Sequence, residues 1–302
     1  MRKVTVRLPA TITGIGPGIH ALGLAVGLYT TIEISARSDH QLIVDTAGEG
    51  AGHYSIGLRH PVVLALMRVF QQLERAPLGV HIRVQNDIPV DSGLGAEAAF
   101  WVAGVIGASN MIGRNLTRAE IVQLSARISP QPDNALAALL GGLSSGVMQA
   151  GTFLYRSLPV AAQRLVIVVP VIDDYPTRLI TPDTIAWDDA AHNLRQLPLL
   201  IEAFRSGDLS LLSQMLDDRL INPRVRPRIP GYNHVRETAR LAGASATTIC
   251  SDGPALVAFA PKDHQQIADA MRAAFENAGV QSRAWVVPVD TQGVVLSAVQ
   301  SG

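Results

Sequence analysis

The chain has 302 residues, of which 48% are hydrophobic and 17% charged, so it is long enough for two domains that each bury a core. Lys and Arg (25) balance Asp and Glu (25), and the net charge of +0 gives no support for a nucleic-acid partner. No apolar run reaches the roughly 18 residues of a membrane span. The single cysteine, Cys250, excludes an intrachain disulfide and a cysteine-based zinc site. We therefore expect a cytoplasmic protein without membrane or nucleic-acid partners.

The N-terminal part of the chain alternates strand patterns with a turn and one amphipathic helix. Residues 4–8 and 28–36 have strand patterns on either side of the turn at residues 14–18, Gly-Ile-Gly-Pro-Gly. A helix is predicted after His60, because the apolar residues that follow fit one buried face. These residues are Val62, Leu64, Met67, Val69, Phe70 and Leu73. Residues 79–84 then alternate as a half-buried strand does.

The most informative segment follows that strand and combines a glycine turn with the start of a helix. Residues 89–99 read Pro-Val-Asp-Ser-Gly-Leu-Gly-Ala-Glu-Ala-Ala, and residues 98–111 form a nearly uninterrupted apolar helix. A strand, a Gly-Leu-Gly turn and a helix N-terminus bring free backbone N–H groups to the positive helix end, which is the geometry of a phosphate site. Glu97 introduces a negative charge into the same space.

Three roles for Glu97 stay open from the sequence. A Glu in the first turn of a helix is favourable with the helix dipole by about 0.3–1 kcal/mol, which is a purely structural role. Alternatively, its carboxylate occupies the anion site from within, or it ligates a metal ion. At about 4 Å and an effective dielectric near 20, a carboxylate opposes each phosphate charge by roughly 4 kcal/mol. This residue therefore decides how well the loop binds a nucleotide.

Two helices are predicted in the middle of the chain. Thr117 and Glu120 form a capping-box signature that opens a helix to about residue 128. Pro130 and Pro132 end that helix, and Asp133 is expected to cap the next one, residues 134–140.

The pattern changes near residue 155, where we place a domain boundary that divides the chain into residues 1–155 and 156–302. Residues 164–171 form a β-branched run typical of a buried strand. Later helices are predicted at residues 190–205, 209–220, 232–242 and 263–278, and later strands at residues 246–250, 255–259 and 282–287. The β-β-α-β order near the C-terminus favours an antiparallel sheet with helices on one face.

Four stretches together carry a resemblance to one family. They are residues 9–24 with Gly16-Pro17-Gly18, residues 93–99 with Gly93-Leu94-Gly95, residues 132–142 with Pro132-Asp133-Asn134, and residues 243–254 with Gly253-Pro254. In their order and spacing these stretches resemble homoserine kinases of the galactokinase, homoserine kinase, mevalonate kinase and phosphomevalonate kinase (GHMP) superfamily. The resemblance covers nearly the whole chain.

The resemblance implies an α+β fold with two domains. The N-terminal domain is expected to resemble domain 2 of ribosomal protein S5, and the C-terminal domain to be ferredoxin-like. It also implies that ATP, with Mg²⁺, and a small-molecule ligand bind in the cleft between the domains. The expected activity is ATP-dependent phosphoryl transfer to a small hydroxyl substrate. Nothing in the sequence decides the oligomeric state, and a homodimer is one expectation.

The resemblance also assigns site residues one by one. The nucleotide-binding residues are Gly93, Leu94, Gly95, Ala96, Glu97 and Ala98. Asn134 is expected to orient the reacting groups, and Asp174 to accept the hydroxyl proton if it faces the cleft. Arg178 is expected to bind a substrate carboxylate, with His20 and Gln131 also on the substrate side. No protein metal ligand is assigned.

Six positions depart from the pattern of the family. These are Gly14, His20, Ala96, Glu97, Gln123 and Gln131. Gln123 stands where the family carries a magnesium carboxylate, so together with Glu97 it puts ATP and Mg²⁺ binding in question. Gly14 and His20 replace the groups that recognise the ammonium of homoserine, which puts this substrate in question.

Two alternatives to a small-molecule kinase therefore stay open. One is a pseudokinase that retains the fold as a binding or assembly module. The other is an enzyme in which Glu97, His20 and Asp174 form a new acid–base set in the same cleft, provided that they approach within hydrogen-bond reach.

Overall fold

The computed structural model describes residues 2–54, 57–114, 116–176 and 181–300. The N-terminal region contains β1 (Arg2–Thr13), β2 (Leu22–Arg37), β3 (Leu42–Gly48), α1 (Pro61–Gln72), β4 (Gly79–Asn86), α2 (Ala96–Met111), α3 (Arg118–Ile128), α4 (Pro132–Leu140), β5 (Leu143–Gln149) and β6 (Thr152–Leu158). The rest contains β7 (Arg164–Pro170), α5 (Trp187–Ser206), α6 (Leu209–Met215), α7 (Asn222–Val225), a 3-10 turn (Arg226–Arg228), α8 (Tyr232–Leu241), β8 (Ala246–Ile249), β9 (Leu256–Phe259), α9 (His264–Asn277), β10 (Ser282–Pro288) and β11 (Val295–Gln300).

The first sheet has the strand order β11-β1-β2-β4-β3, and β5 joins it through β2 and pairs with β6. Only β3 and β4 pair in parallel among the described strands. One face of this sheet packs on α1 and α2, whose apolar side chains form a common core with those of the strands. Helix α2 is buried along almost its whole length, so its nearly uniform apolar sequence matches a helix surrounded by protein.

Two local start signals are confirmed. Thr117 accepts a hydrogen bond from the Glu120 backbone N–H, and Glu120 accepts one from that of Thr117, so the capping box of α3 is complete. His60 precedes α1, where its Nδ1 accepts the N–H of Val62 at 3.3 Å. Burial lowers the pKa of His60 to about 4, which keeps the ring neutral and able to accept this bond at neutral pH.

The second sheet has the order β10-β7-β9-β8, and every pairing in it is antiparallel. Strand β7 is buried on both faces. Val166 and Val168 pack with α8 and α9, while Leu165 and Ile167 pack with α5 and with residues of β1 and β2. The expectation of helices on one face is therefore wrong, because α5 and the first sheet cover the other face.

The two-domain α+β architecture is confirmed, but the sheets differ from the predicted division in two places. The boundary between residues 155 and 156 falls inside β6, which pairs with β5 in the first sheet. At the other end, β11 returns to pair with β1. Strands β3, β5, β6 and β11 were not predicted from local pattern, because their burial is uneven or partial.

Two helix boundaries also differ from the prediction. Helix α6 ends at Met215, because the buried Asp218 carboxylate accepts the N–H groups of Leu220, Ile221 and Asn222 at 2.7–3.0 Å and draws them into a loop. Helix α4 begins at Pro132 with Gln131 as its N-cap, so Asp133 is not the cap. Proline favours this first helical position because its φ angle already suits a helix.

Candidate functional site

The glycine loop between β4 and α2 is shaped by its own side chains and by β1. Ser92 donates to the carbonyl of Pro89 at 2.7 Å and accepts the N–H of Leu94 at 3.3 Å. Gly95 has a φ of +72°, and a Cβ there would lie 2.0 Å from Thr11 Oγ1. Glycine is required at this position both for the left-handed backbone and for the close approach of β1.

Helix α2 starts at this loop without a side-chain cap among the described residues. The first bond within the helix runs from the N–H of Ala99 to the carbonyl of Gly95 at 3.0 Å. The N–H groups of Ala96, Glu97 and Ala98 therefore have no partner within the helix. They lie at the positive end of the helix, next to a cavity, so the loop has the donors that an anion such as phosphate requires.

Glu97 is exposed, and its carboxylate turns along the helix rather than into the loop. Its Oε1 accepts the indole N–H of Trp101 at 3.3 Å. The guanidinium of Arg68 lies over the Trp101 ring, 4.6 Å from its centroid. Within the described part of the chain, no hydrogen bond joins Glu97 to the amides of Gly93 or Gly95, so the prediction that its carboxylate fills the anion site is not met in this arrangement.

Asn134 lies behind the loop and is only 3% exposed. Its Oδ1 accepts from Thr11 at 2.7 Å, and its Nδ2 donates to Thr13 at 3.2 Å and to Gln131 at 3.3 Å. This network ties the start of α4 to β1. Asn134 and Gln131, both predicted as site residues, are therefore brought together at the border of the cavity.

The cavity itself has a volume of about 580 Å³ and lies between the two sheets' loops. The glycine loop and the start of α4 line one side, and residues 251–253, with His20, line the other. The two sides are joined directly, because the N–H of Ala255 donates to the carbonyl of Ser92 at 3.1 Å. The hydroxyl of Tyr175 donates to the carbonyl of Asp252 at 2.5 Å and holds that loop from outside.

Two carboxyl groups, those of Asp133 and Asp252, line this cavity. Burial raises the pKa of Asp133, and the nearby His20 opposes that shift. Burial also raises the pKa of Asp252, with a further contribution from the charge of Asp133, while His20 again lowers it. Sequence reasoning missed both residues as functional groups, although each stands in a motif that carries the family resemblance.

The remaining predicted residues are placed differently. Asp174 is exposed in a turn and does not line the cavity. Arg178 lies outside the described residues. The proposed acid–base set of Glu97, His20 and Asp174 is not assembled, because only the first two line the cavity and no hydrogen bond joins them in the described ranges.

Gln123 is bound to the edge of β6 rather than to the cavity. Its Nε2 donates to the carbonyl of Phe153 at 2.8 Å and its Oε1 accepts the N–H of Phe153 at 2.9 Å. No group of three or more His, Cys, Asp or Glu side chains that could hold a metal is found among the residues that the structure describes. Nor does any helix described here combine the length and apolarity needed to cross a bilayer.

The comparison with protein families agrees with this geometry. The chain belongs to the GHMP kinase family: the family model for the GHMP kinase N-terminal domain matches residues 61–142, and that for the C-terminal domain matches residues 200–277. The homoserine kinase of Moorella thermoacetica is 33% identical over 279 residues, covering 91% of this chain and 94% of the relative. That of Crocosphaera subtropica is 30% identical over 306 residues, covering 99% of each. Within its family, the chain is thus a homoserine kinase-like, ATP-dependent kinase.

Solved structures support the same fold. The crystal structure of homoserine kinase from Cytophaga hutchinsonii superposes with a TM-score of 0.86 at 24% identity, over 98% of this chain and 97% of that one. The galactokinase of Lactococcus lactis superposes with a TM-score of 0.68 at 13% identity, over 97% of this chain and 95% of that one. The pseudokinase alternative gains no support from these relatives.

Proposed function

We propose that this protein transfers the γ-phosphoryl group of ATP to the hydroxyl of a small amino acid, with L-homoserine as the first substrate to test. The observation that carries the proposal is the polarity of the cavity. On one side, the N–H groups at the start of α2 have no hydrogen-bond partner among the described residues, and on the other lies the carboxyl of Asp252. The carboxyl of Asp133 lines the same cavity from the start of α4. A substrate that bears a cationic amino group near a reacting hydroxyl matches this division.

The phosphate side is supplied by backbone groups. The N–H groups of Ala96, Glu97 and Ala98 would bind the phosphates at the N-terminus of α2. Phosphoryl transfer develops negative charge on the phosphate oxygens, and fixed N–H donors stabilise that charge without reorganising.

Asp252 is the group that we assign to the substrate ammonium. Asp252 is partly buried, and the charge of Asp133 contributes to the rise of its pKa. An ammonium ion needs an anionic or carbonyl acceptor. The Asp252 carboxylate would supply one, because Gly14 and His20 replace the ammonium-binding groups of the first motif. The recognition group would then come from the second domain rather than from the first.

Asp133 is the group that we assign to the hydroxyl proton. A carboxylate general base is more effective when its pKa is raised towards the working pH, and it must lie within hydrogen-bond reach of the hydroxyl. Burial raises the pKa of Asp133, and the residue lines the cavity at the start of α4, on the same side as the glycine loop. Asp174, by contrast, is exposed outside this lining.

Mg²⁺ fits the oxygen donors of the phosphate side. Mg²⁺ on a nucleotide is held through one or two carboxylates together with phosphate oxygens, and Glu97 is the carboxylate that α2 itself carries there. The Glu97 side chain is exposed, and its one hydrogen bond within the described ranges is the 3.3 Å bond to Trp101, so it is free to turn from Trp101 to a metal. A bound Mg²⁺ would neutralise charge on the transferred group.

The proposal is tested by measuring ADP release with ATP, Mg²⁺ and L-homoserine. We expect Asp252→Asn to raise KM for homoserine with a smaller effect on kcat, and Asp133→Asn to lower kcat. Asp173→Asn, an exposed residue of the neighbouring turn, is the matched control. If Asp174→Asn abolishes turnover while Asp133→Asn retains it, the assignment of the base to Asp133 is wrong. If no phosphoryl transfer to homoserine occurs, the proposed substrate is wrong.

A further inference from the structure

A second cavity, of about 390 Å³, lies entirely within the C-terminal domain. It is bordered by the end of α6, by α7 and the 3-10 turn, by α8 and by the start of β8. It shares no lining residue with the cavity of the proposed kinase site. Phosphoryl transfer therefore does not account for its side chains.

The charged residues of this second cavity leave an excess of positive charge. Arg226, Arg236 and Arg240 line it together with Asp217 and Glu237. Arg240 holds Glu237 through two hydrogen bonds of 2.9 and 2.6 Å. Arg236 has no ion-pair partner among the residues that the structure describes.

The other acidic residue of the lining, Asp217, contacts several basic side chains. Asp217 Oδ2 lies 3.0 Å from His192 Nε2 and 3.8 Å from Arg219 Nε, both outside the cavity lining. Its distance to the guanidinium of Arg226 is longer, 3.9 Å. The cavity therefore carries one more arginine than acidic residues, and the ion pair of Arg226 with Asp217 is a long one.

One buried polar atom in the same lining lacks a partner. The Nε of Arg226 is buried and makes no hydrogen bond with any described residue. Buried polar groups are normally hydrogen-bonded, since an unpaired one costs free energy of folding. Asn222, 3% exposed, and Tyr232, 6% exposed, also line the cavity. The unpaired Nε points to a ligand that the cavity would take.

We propose that this cavity is a binding site for a small oxyanion, a carboxylate or phosphate group on a metabolite. Guanidinium groups bind such anions through charge-assisted and often bidentate hydrogen bonds. The hydroxyl of Tyr232 and the amide of Asn222 add neutral donors, and the guanidinium of Arg226, 5.6 Å from the centre of the Tyr232 ring, lies next to them. The volume suits a molecule of amino-acid size better than a macromolecule.

The second cavity is connected to the kinase cavity through packed residues. Leu216 lines the anion site, and a Cβ on Gly16 would lie 2.9 Å from the Leu216 Cα. The turn that contains Gly16 thus rests on the backbone of Leu216, and a few residues later the chain reaches His20 in the kinase cavity. Leu216 thus connects the lining of the anion site to the turn that leads into the kinase cavity.

The test is isothermal titration calorimetry of the full chain with inorganic phosphate and, separately, with succinate. We expect at least one of them to bind, and the double variant R226Q/R236Q to weaken that binding by roughly tenfold or more, since two charge-assisted hydrogen bonds are lost. Arg236→Gln alone removes one charge from an exposed side chain, which should not disturb folding. It therefore tests the site even if the double variant folds poorly. The matched control is Arg195→Gln, an exposed arginine of α5.

The two probes separate the sources of the oxyanion, because a phosphate site favours phosphate and a carboxylate site favours succinate. Phosphate bound at the glycine loop would be unaffected by either arginine variant. Equal binding in the native chain and in R226Q/R236Q would therefore overturn the proposal, as would the absence of binding of both probes at millimolar concentration. Neither result depends on kinase activity.

Discussion

The charge of Glu97 gives the sharpest test of the phosphate site, through the variant Glu97→Gln. This substitution removes the negative charge but retains the size of the side chain and an oxygen that accepts the indole N–H of Trp101. Because helix α2 and the glycine loop are otherwise unchanged, any effect on nucleotide affinity reports the charge. The measurement is the Kd of ADP with and without Mg²⁺, by isothermal titration calorimetry.

The magnitude follows from the exposure of Glu97. Its carboxylate is exposed and hydrogen-bonded to Trp101, so a water-like dielectric applies rather than that of a buried site. At about 4 Å in water, the carboxylate opposes one phosphate charge by about 1 kcal/mol, which corresponds to roughly fivefold in Kd. We therefore expect metal-free ADP to bind about fivefold more tightly to Glu97→Gln.

The response with Mg²⁺ has the opposite sign if Glu97 ligates the metal. Loss of a group that supports a bound metal typically weakens its affinity about 10- to 100-fold, so MgADP should bind more weakly to the variant. Glu276→Gln, an exposed position on α9 outside the kinase cavity, should leave both values unchanged. Tighter binding of both forms would refute the metal role, and no change in either would refute the whole electrostatic reasoning.

Three further predictions concern the residues around the loop. Gly95→Ala should abolish ADP binding and lower Tm, since its Cβ would lie 2.0 Å from Thr11 Oγ1 at a φ of +72°; an unchanged ADP titration would contradict this. Asn134→Ala should cost roughly 1–3 kcal/mol of unfolding free energy in urea, because Thr11 and Thr13 lose buried partners, whereas the exposed Asn277→Ala should cost little. Burial and the charge of Asp133 raise the pKa of Asp252 from its usual value of 3.8. Protonation of Asp252 therefore stabilises the folded protein, and this stabilisation is lost as the pH rises from about 3.8 through the raised pKa. Asp252→Asn should thus raise Tm at pH 7.5 and lose this advantage near pH 4; an equal Tm difference at both pH values would argue against the shift.

Local sequence was sufficient for features that depend on neighbouring residues. The capping box of α3, the start of α1 after His60 and the Gly-Leu-Gly turn before α2 were all predicted from a few adjacent residues, since hydrogen bonds or φ angles within one turn determine them. Strand β11 was not predicted, because its position depends on pairing with β1 almost the whole chain away.

The phosphate loop shows most clearly which features follow from local sequence and which depend on the tertiary structure. The sequence alone determined that a helix with free N–H groups at its start follows the Gly-Leu-Gly turn, because this needs only the local backbone conformation. The predicted helix, residues 98–111, starts two residues later than α2. Only the tertiary structure decided where Glu97 points, since its partner Trp101 is positioned by packing against Arg68 of α1. The same holds for Asp133 and Asp252, because the charge of Asp133 raises the pKa of Asp252 only where the fold brings their two loops to one cavity. Backbone conformation is a local property, whereas the direction and charge of a side chain depend on neighbours that the fold supplies from distant parts of the chain.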